Sequence, residues 1–164
     1  MLGFKVMPRK TPPSRPPAKG LKIRAATLDD AEAVARLSHA LGYPATVAET
    51  RERLRGLLGR EDQRIVVAVD RGRTLCGWLQ AHSSTSLETG FRVEIVGLIV
   101  SEAMRRKGIG GSLVAHAETW AKEIGAETVV VRSNAKRVES NAFYPALGYL
   151  PRKTQVVYVK RASI

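Results

Sequence analysis

Apolar and polar positions follow two different periods along the chain, and each change of period marks a new element. Within residues 21–59, a short alternating segment precedes two stretches in which apolar residues recur every three to four positions, which predicts one strand and two helices. Thr46, with Glu49 three residues later, forms a capping box at the start of the second helix. Residues 64–100 carry continuous or alternating apolar runs separated by turn residues, which predicts three antiparallel strands.

The remaining pattern alternates helices with strands. After a group of glycines, apolar residues recur at helical spacing to about residue 124, which predicts a helix. The valine run within 127–134 predicts a strand. Residues 139–149 predict a short helix, and the β-branched residues within 154–160 predict a closing strand. The predicted order is strand, two helices, three strands, helix, strand, helix, strand.

The N-terminal segment differs in composition from the rest of the chain. Residues 1–20 hold five of the eight prolines, five cations and no acid, and they show no hydrophobic period. They predict a flexible extension ahead of one domain at residues 21–164. We find neither an apolar core of about 7–15 residues typical of a secretory signal nor an apolar run near the ~18 residues of a membrane span. The expected location is therefore the cytoplasm, without membrane contact.

Composition narrows the possible partners. The formal net charge of +12 allows nucleic acid as a partner, but an aromatic content of 5% offers few side chains for base stacking, and nucleic acid is not favoured. The single cysteine, Cys76, excludes a disulfide framework and is interpreted as a structural thiol. Because His, Cys, Asp and Glu do not cluster along the sequence, no metal site is predicted.

Residues 105–111 place three cations and three glycines directly ahead of a predicted helix. The first N–H groups of a helix have no intrahelical partner and lie at the positive end of its dipole. Glycines allow an anion to approach these groups closely, so this segment predicts a phosphate-binding turn. On these residues alone, the alternative is a glycine-rich helix start with solvated cations.

Two stretches resemble one enzyme superfamily. The pattern R-x-x-G-x-G, between GLIV and GGSLVAHAETWA, resembles the acetyl-coenzyme A pyrophosphate loop of the GCN5-related N-acetyltransferase (GNAT) superfamily. Residues 132–149 resemble the superfamily's F-Y-x-x-x-G-F/Y segment, although Ser140 replaces the usual Ala. Together with the element order, the resemblance covers residues 21–160. It implies an α/β (α+β) fold with a mixed central sheet that is splayed at the cofactor site and flanked by helices on both faces.

The resemblance also implies which residues contact acetyl-CoA. The pantetheine arm would pair with an exposed strand edge beside a bulge at Gly97, unless this strand is an ordinary central strand. The pyrophosphate would rest on residues 105–111, called the glycine turn below, and residues before the predicted helix at 139–149 would add contacts. The implied cofactor-binding residues are Leu98, Ile99, Val100, Arg105, Arg106, Lys107, Gly108, Ile109, Gly110, Gly111, Asn134 and Arg137.

By the same resemblance, Tyr144 would donate a proton to the departing thiolate; its alternative role is core packing beside Phe143. Glu94 is the first candidate for the base that accepts the amine proton, with Glu88 and His82 as weaker candidates; each could instead be an ordinary strand or surface residue. The expected activity is direct transfer of an acetyl group from acetyl-CoA to a primary amine, of a small molecule or a protein, in a ternary complex. The alternative is a non-catalytic basic binding module of the same fold. The family resemblance also allows a homodimer.

Overall fold

The computed structural model describes residues 19–40 and 42–162. The predicted flexible extension lies, up to residue 18, outside the described residues, so it stays a prediction. Contacts group the described residues up to Arg132 into one compact unit and those from Ser133 onward into a second. No helix in the described ranges is long and apolar enough to cross a membrane.

Five strands and four α-helices make up the described structure. The strands form one sheet in the order β1-β2-β3-β4-β5, antiparallel except for the parallel pair β4 and β5. This confirms the mixed sheet and the three consecutive antiparallel strands. In chain order the elements are β1 Lys22–Ala25, a 3-10 turn Leu28–Asp30, α1 Ala31–Ala40, α2 Val47–Leu57, β2 Gln63–Val69, β3 Leu75–Ser86, β4 Gly90–Val100, a 3-10 turn Glu102–Met104, α3 Ile109–Glu123, β5 Val129–Val131 and α4 Val138–Ala146.

Helices pack on both faces of the sheet in the first unit, because alternate residues of each strand point to opposite sides. On one face, α1 and α2 bury Val34 and Leu54 against Ile65 and Val67 of β2. On the other face, α3 brings Leu113 against β3, close enough that a Cβ at Gly77 would lie 3.3 Å from its Cδ1. The sheet therefore forms the middle layer of three.

The capping box predicted at the start of α2 is present. The Thr46 hydroxyl accepts the Glu49 N–H at 3.1 Å, and the Glu49 carboxylate accepts the Thr46 N–H at 2.8 Å. At the start of α1, buried Asp30 accepts two hydrogen bonds from the Arg24 guanidinium at 2.8 Å and one from the Thr27 N–H at 2.8 Å. Burial would raise the pKa of Asp30, but the bonds from Arg24 and Thr27 outweigh it and hold that pKa below its ordinary value.

The predicted closing strand is wrong for this structure. Residues 154–160 form no strand, and their apolar side chains are 73–90% exposed. A β-branched sequence favours a strand only where a neighbouring strand supplies backbone partners and a face to pack against. This segment has neither among the described residues. The preceding strand, β5, is also shorter than predicted, spanning only Val129–Val131.

Candidate functional site

A β-bulge divides β4 into two parts with different neighbours. The register against β3 shifts between the pairs Gln80–Gly97 and Ala81–Ile95, which leaves Val96 as the extra residue. β5 pairs with β4 only before the bulge, at residues 93–95. After the bulge, residues 97–100 pair with β3 on one side and with no strand of the described chain on the other. The two parallel strands therefore separate at the bulge.

The consequence is a free backbone edge at the cofactor residues that the sequence suggests. Leu98, Ile99 and Val100 pair with β3 on one side and lead through the 3-10 turn Glu102–Met104 to the glycine turn. A strand edge without a neighbour presents N–H and C=O groups at regular spacing, and an extended molecule with amide groups can bind to them. Ile99 also anchors the strand, because its side chain lies in the core under α1 and α2.

Gly97 makes room for an aromatic ring beside the bulge. A Cβ at this position would lie 2.6 Å from Cζ3 and 2.7 Å from Cη2 of Trp78. Trp78 is on β3, where it pairs with Ile99, and its ring packs across the sheet over the Gly97 backbone. The glycine therefore has a packing role here, in addition to its position next to the bulge.

Replacing Gly97 with Ala is expected to destabilise the protein by about 1–3 kcal/mol, the usual effect of overpacking. The free energy of unfolding from denaturant titration measures the effect. Gly97→Ala should cost less in a Trp78→Leu background than in the wild type, because the smaller side chain leaves room for the new methyl group. Gly56, in α2, has no atom near its missing Cβ, so Gly56→Ala is the control and should be neutral or stabilising. An additive double mutant would contradict the steric argument.

The glycine turn is held in a left-handed backbone conformation. Arg106 has φ 62° and Gly108 has φ 80°, and α3 begins at the next residue, Ile109. The N–H groups of Gly110 and Gly111 lie in the first turn of α3 and have no hydrogen-bond partner among the described residues. They lie at the positive end of a 15-residue helix, which is a favourable place for an anion.

Ile109 fixes this turn to the core. Its side chain is 1% exposed and packs against the face of the sheet that α3 covers. Only the backbone of Ile109 is therefore available to a ligand. Arg106 and Lys107 are exposed cations, whereas Arg105 is half-buried. The turn thus combines a rigid apolar anchor with an accessible row of N–H groups and positive charge.

Glu94 lies in an ion-pair cluster that the sequence did not reveal. Its carboxylate is buried, accepts a hydrogen bond from Arg132 and lies 3.6 Å from the Arg92 guanidinium. His82 faces Glu94 directly across the β3–β4 ladder, so both side chains lie on one face of the sheet. Arg92 could have been found from the strand period, since residues two apart share a face. Arg132 could not, because its place depends on the parallel pairing of β5. Glu88 lies in the exposed turn between β3 and β4.

The second unit carries the remaining predicted site residues. Tyr144 is half-buried on α4, with ring centroids 5.0 Å from Phe143 and 5.7 Å from Tyr149. Burial raises the pKa of the Tyr144 phenol, and the nearby Arg137 charge opposes this only in part. The Asn134 side chain lies before α4 and accepts the Lys136 N–H at 3.0 Å, and Arg137 occupies the N-cap position of the helix.

Cys76 is buried, and its thiol donates to the Ala68 carbonyl at 3.3 Å. Burial raises the pKa of this thiol, which disfavours the reactive thiolate and fits a structural role. Within the described ranges, no group of three or more His, Cys, Asp or Glu is arranged to hold a metal ion.

The acetyltransferase (GNAT) family model matches residues 29–149. This match spans most of the chain, and the chain belongs to that family. The matched range, residues 29–149, contains the separated strands and the glycine turn. The family transfers acetyl groups from acetyl-CoA, and this chain is accordingly assigned to the acetyl-CoA-dependent acetyltransferases. No curated protein matches the sequence.

Solved structures support the fold. A transcriptional regulator from Bacillus halodurans C-125 aligns with a TM-score of 0.77 and 24% identity over 85% of this chain and 99% of its own. An aminoglycoside 6'-N-acetyltransferase from Acinetobacter baumannii aligns with a TM-score of 0.77 and 20% identity over 88% and 100%. A glucosamine-6-phosphate N-acetyltransferase from Arabidopsis thaliana aligns with a TM-score of 0.73 and 19% identity over 85% and 97%.

Proposed function

We propose that this protein is an N-acetyltransferase that transfers an acetyl group from acetyl-CoA directly to a primary amine in a ternary complex. The observation that supports this most strongly is the free edge of β4 at residues 97–100, which runs into a helix start with unpartnered N–H groups. The donor has the matching order of groups: its pantetheine arm carries two amides that can pair with a strand edge, and its pyrophosphate can bind at a helix start. The residues present fit this donor.

Each part of the donor has a proposed partner. The backbone groups of Leu98, Ile99 and Val100 bind the pantetheine amides. The N–H groups from Arg106 to Gly111 bind the pyrophosphate, with added attraction from the cations of the turn. Asn134 and Arg137 stay proposed cofactor contacts in the second unit.

The chemistry requires two proton transfers. The neutral amine attacks the thioester carbonyl, a C–N bond forms, and the carbonyl oxygen takes up negative charge that a strand N–H near Leu98 stabilises. The C–S bond then breaks and the electron pair leaves with sulfur. We assign protonation of that thiolate to Tyr144, and removal of the amine proton to a base.

Glu94 remains the proposed base, although two arginines already bind its carboxylate. Its carboxylate already binds Arg92 and Arg132, so the amine or a bridging water must compete with a guanidinium for an oxygen. Arg132 is the more exposed of the two cations and the one that can move aside, with 59% of its side chain exposed against 18% for Arg92. His82 is directly opposite on β3 and is the alternative base.

If Glu94 is the base, Glu94→Gln should lower kcat by about 100-fold at neutral pH. The loss should shrink as pH rises toward the amine pKa of about 10.4, because the amine then loses its proton without help. Arg132→Gln is the control, since it breaks the same ion pair but keeps the carboxylate. Steady-state rates across pH measure both. A loss of equal size at every pH, or an equal loss in Arg132→Gln, would instead indicate a structural ion pair.

The acceptor is proposed only as a class. The similar structures include enzymes named for an aminoglycoside and for glucosamine 6-phosphate, so small-molecule amines are represented among them. Near Glu94, two arginines surround one acid, which disfavours a polycationic acceptor at that point. A small amine with few positive charges, or a protein amine, fits this charge better.

Thiol release from acetyl-CoA over a panel of amines tests the proposed function. The panel should pair acceptors with and without one acidic group, such as glucosamine 6-phosphate with glucosamine and an amino acid with its amide. Amine-dependent thiol release with a matching acetylated product is the expected result. Absence of turnover with every small amine and every peptide amine, although acetyl-CoA binds, would contradict the enzyme.

One structural relative favours a second candidate. The similar structure from Bacillus halodurans is named a transcriptional regulator, and the net charge of this chain is +12. A binding module that keeps the fold would bind nucleic acid with a strong dependence on salt concentration and would release no thiol. The amine panel and a salt-dependent nucleic-acid titration therefore separate the two candidates.

A further inference from the structure

A cationic cleft lies beside the glycine turn, in the first unit, and shares Lys107 with it. Its volume is about 310 Å³, at the lower end of small-molecule sites. It lies between the segment before β1, the β2–β3 turn and the segment before α3. The lining residues are Lys19, Gly20, Leu21, Asp70, Arg71, Gly72, Met104 and Lys107.

Three cations and one acid line this cleft, and the acid is already engaged. Asp70 closes the β2–β3 turn, where its carboxylate accepts the Thr74 N–H at 2.9 Å. No ion pair joins Asp70 to Lys19, Arg71 or Lys107 among the described residues. Three cations against one carboxylate leave the lining of the cleft with a net positive charge.

The local backbone is shaped to place these cations in the cleft. A Cβ at Gly20 would lie 2.1 Å from Nε of Arg71, so the guanidinium packs directly on the Gly20 backbone. Gly20 has φ 85°, a conformation that favours glycine. The Lys107 ammonium lies 3.4 Å from the Met104 sulfur, which is only a weak acceptor. Both cations keep donors available for a stronger anionic acceptor.

We propose that this cleft is a second phosphate site, separate from the first turn of α3, and that it binds a phosphate monoester. Such a group carries up to two negative charges and several acceptor oxygens, which match convergent Arg and Lys donors. The phosphate can come from the 3'-phosphate of the cofactor or from a separate phosphorylated molecule. Binding to the cleft does not require acetyl transfer, so its test is independent of the proposed activity.

Titration of the ligand-free protein with inorganic phosphate, by calorimetry at fixed ionic strength, tests the site. Arg71→Gln and Lys19→Gln should each weaken binding by about tenfold, the effect of one lost charge-assisted hydrogen bond. Arg73→Gln removes the same charge from the same turn but outside the cleft, and it should bind as the wild type does. Unchanged thermal midpoints establish that each variant is folded.

The variant Gly110→Asp, in the first turn of α3, separates this cleft from the helix start. Phosphate binding that persists in Gly110→Asp but weakens in Arg71→Gln supports the cleft. Binding that is lost in Gly110→Asp and kept in Arg71→Gln, or that Arg73→Gln weakens equally, overturns the proposal, as does the absence of saturable binding.

Coenzyme A and its 3'-dephospho form identify the source of the phosphate. If coenzyme A binds more tightly, and the difference disappears in Arg71→Gln, the cleft takes the cofactor's own 3'-phosphate. If the two forms bind equally while inorganic phosphate still depends on Arg71, the cleft takes a separate phosphorylated molecule. If the difference between the two forms is the same in Arg71→Gln and inorganic phosphate binding is unaffected by this change, the proposal is wrong.

Discussion

Gly110→Asp is expected to weaken acetyl-CoA binding by at least about 100-fold, or about 2.7 kcal/mol, without loss of stability. The new carboxylate would lie in the first turn of α3, where the proposed pyrophosphate binds, and would repel it at close range. The same carboxylate interacts favourably with the helix dipole, and replacing glycine in a helix removes an entropic cost. The thermal midpoint should therefore stay the same or rise while affinity falls.

Two controls separate charge from shape in that experiment. Gly110→Ala adds only a methyl group and should weaken binding much less than Asp does. Gly56→Asp adds the same charge in α2, where no atom lies near the missing Cβ, and should leave affinity unchanged. Calorimetric titration with acetyl-CoA at constant salt measures all three variants. Wild-type affinity in Gly110→Asp would contradict the pyrophosphate assignment.

The parts of the fold that the sequence predicted well depend on local rules. The Thr46–Glu49 capping box and the antiparallel run from β2 to β4 follow from spacings of a few residues, and both are present. The segment at 154–160 has the composition of a strand but no partner in the described structure. Composition indicates that a segment can pair, whereas pairing itself depends on residues far away in sequence.

In the candidate site, too, features made of consecutive residues could be predicted, and contacts between distant residues could not. The glycine turn could be predicted because its N–H groups, glycines and cations are consecutive in sequence. The packing of Trp78 over Gly97 and the ion pair of Glu94 with Arg132 both depend on the strand register. The cationic cleft combines three segments separated by tens of residues, and the sequence pattern places one of its residues, Lys19, in the flexible extension. Contacts that depend on register or on several segments have no local signal.

Tyr144→Phe is expected to lower kcat by about 100-fold with little change in the KM for acetyl-CoA, because the variant loses only the proton donor. Burial raises the pKa of Tyr144, so the phenol remains protonated through neutral pH and can donate to a thiolate. Phe keeps the ring contacts with Phe143 and Tyr149, so the fold should be preserved. Steady-state kinetics and a thermal midpoint measure the two effects.

The leaving thiol provides the test that distinguishes proton donation by Tyr144 from packing. Donors whose thiols have a lower pKa need less protonation as they leave, so the loss in Tyr144→Phe should shrink along such a series while the wild type changes little. Tyr149→Phe removes a neighbouring hydroxyl and should show no such dependence. If Tyr144→Phe loses the same factor with every donor, the hydroxyl does not protonate sulfur, and Tyr144 contributes its ring to the packing of α4.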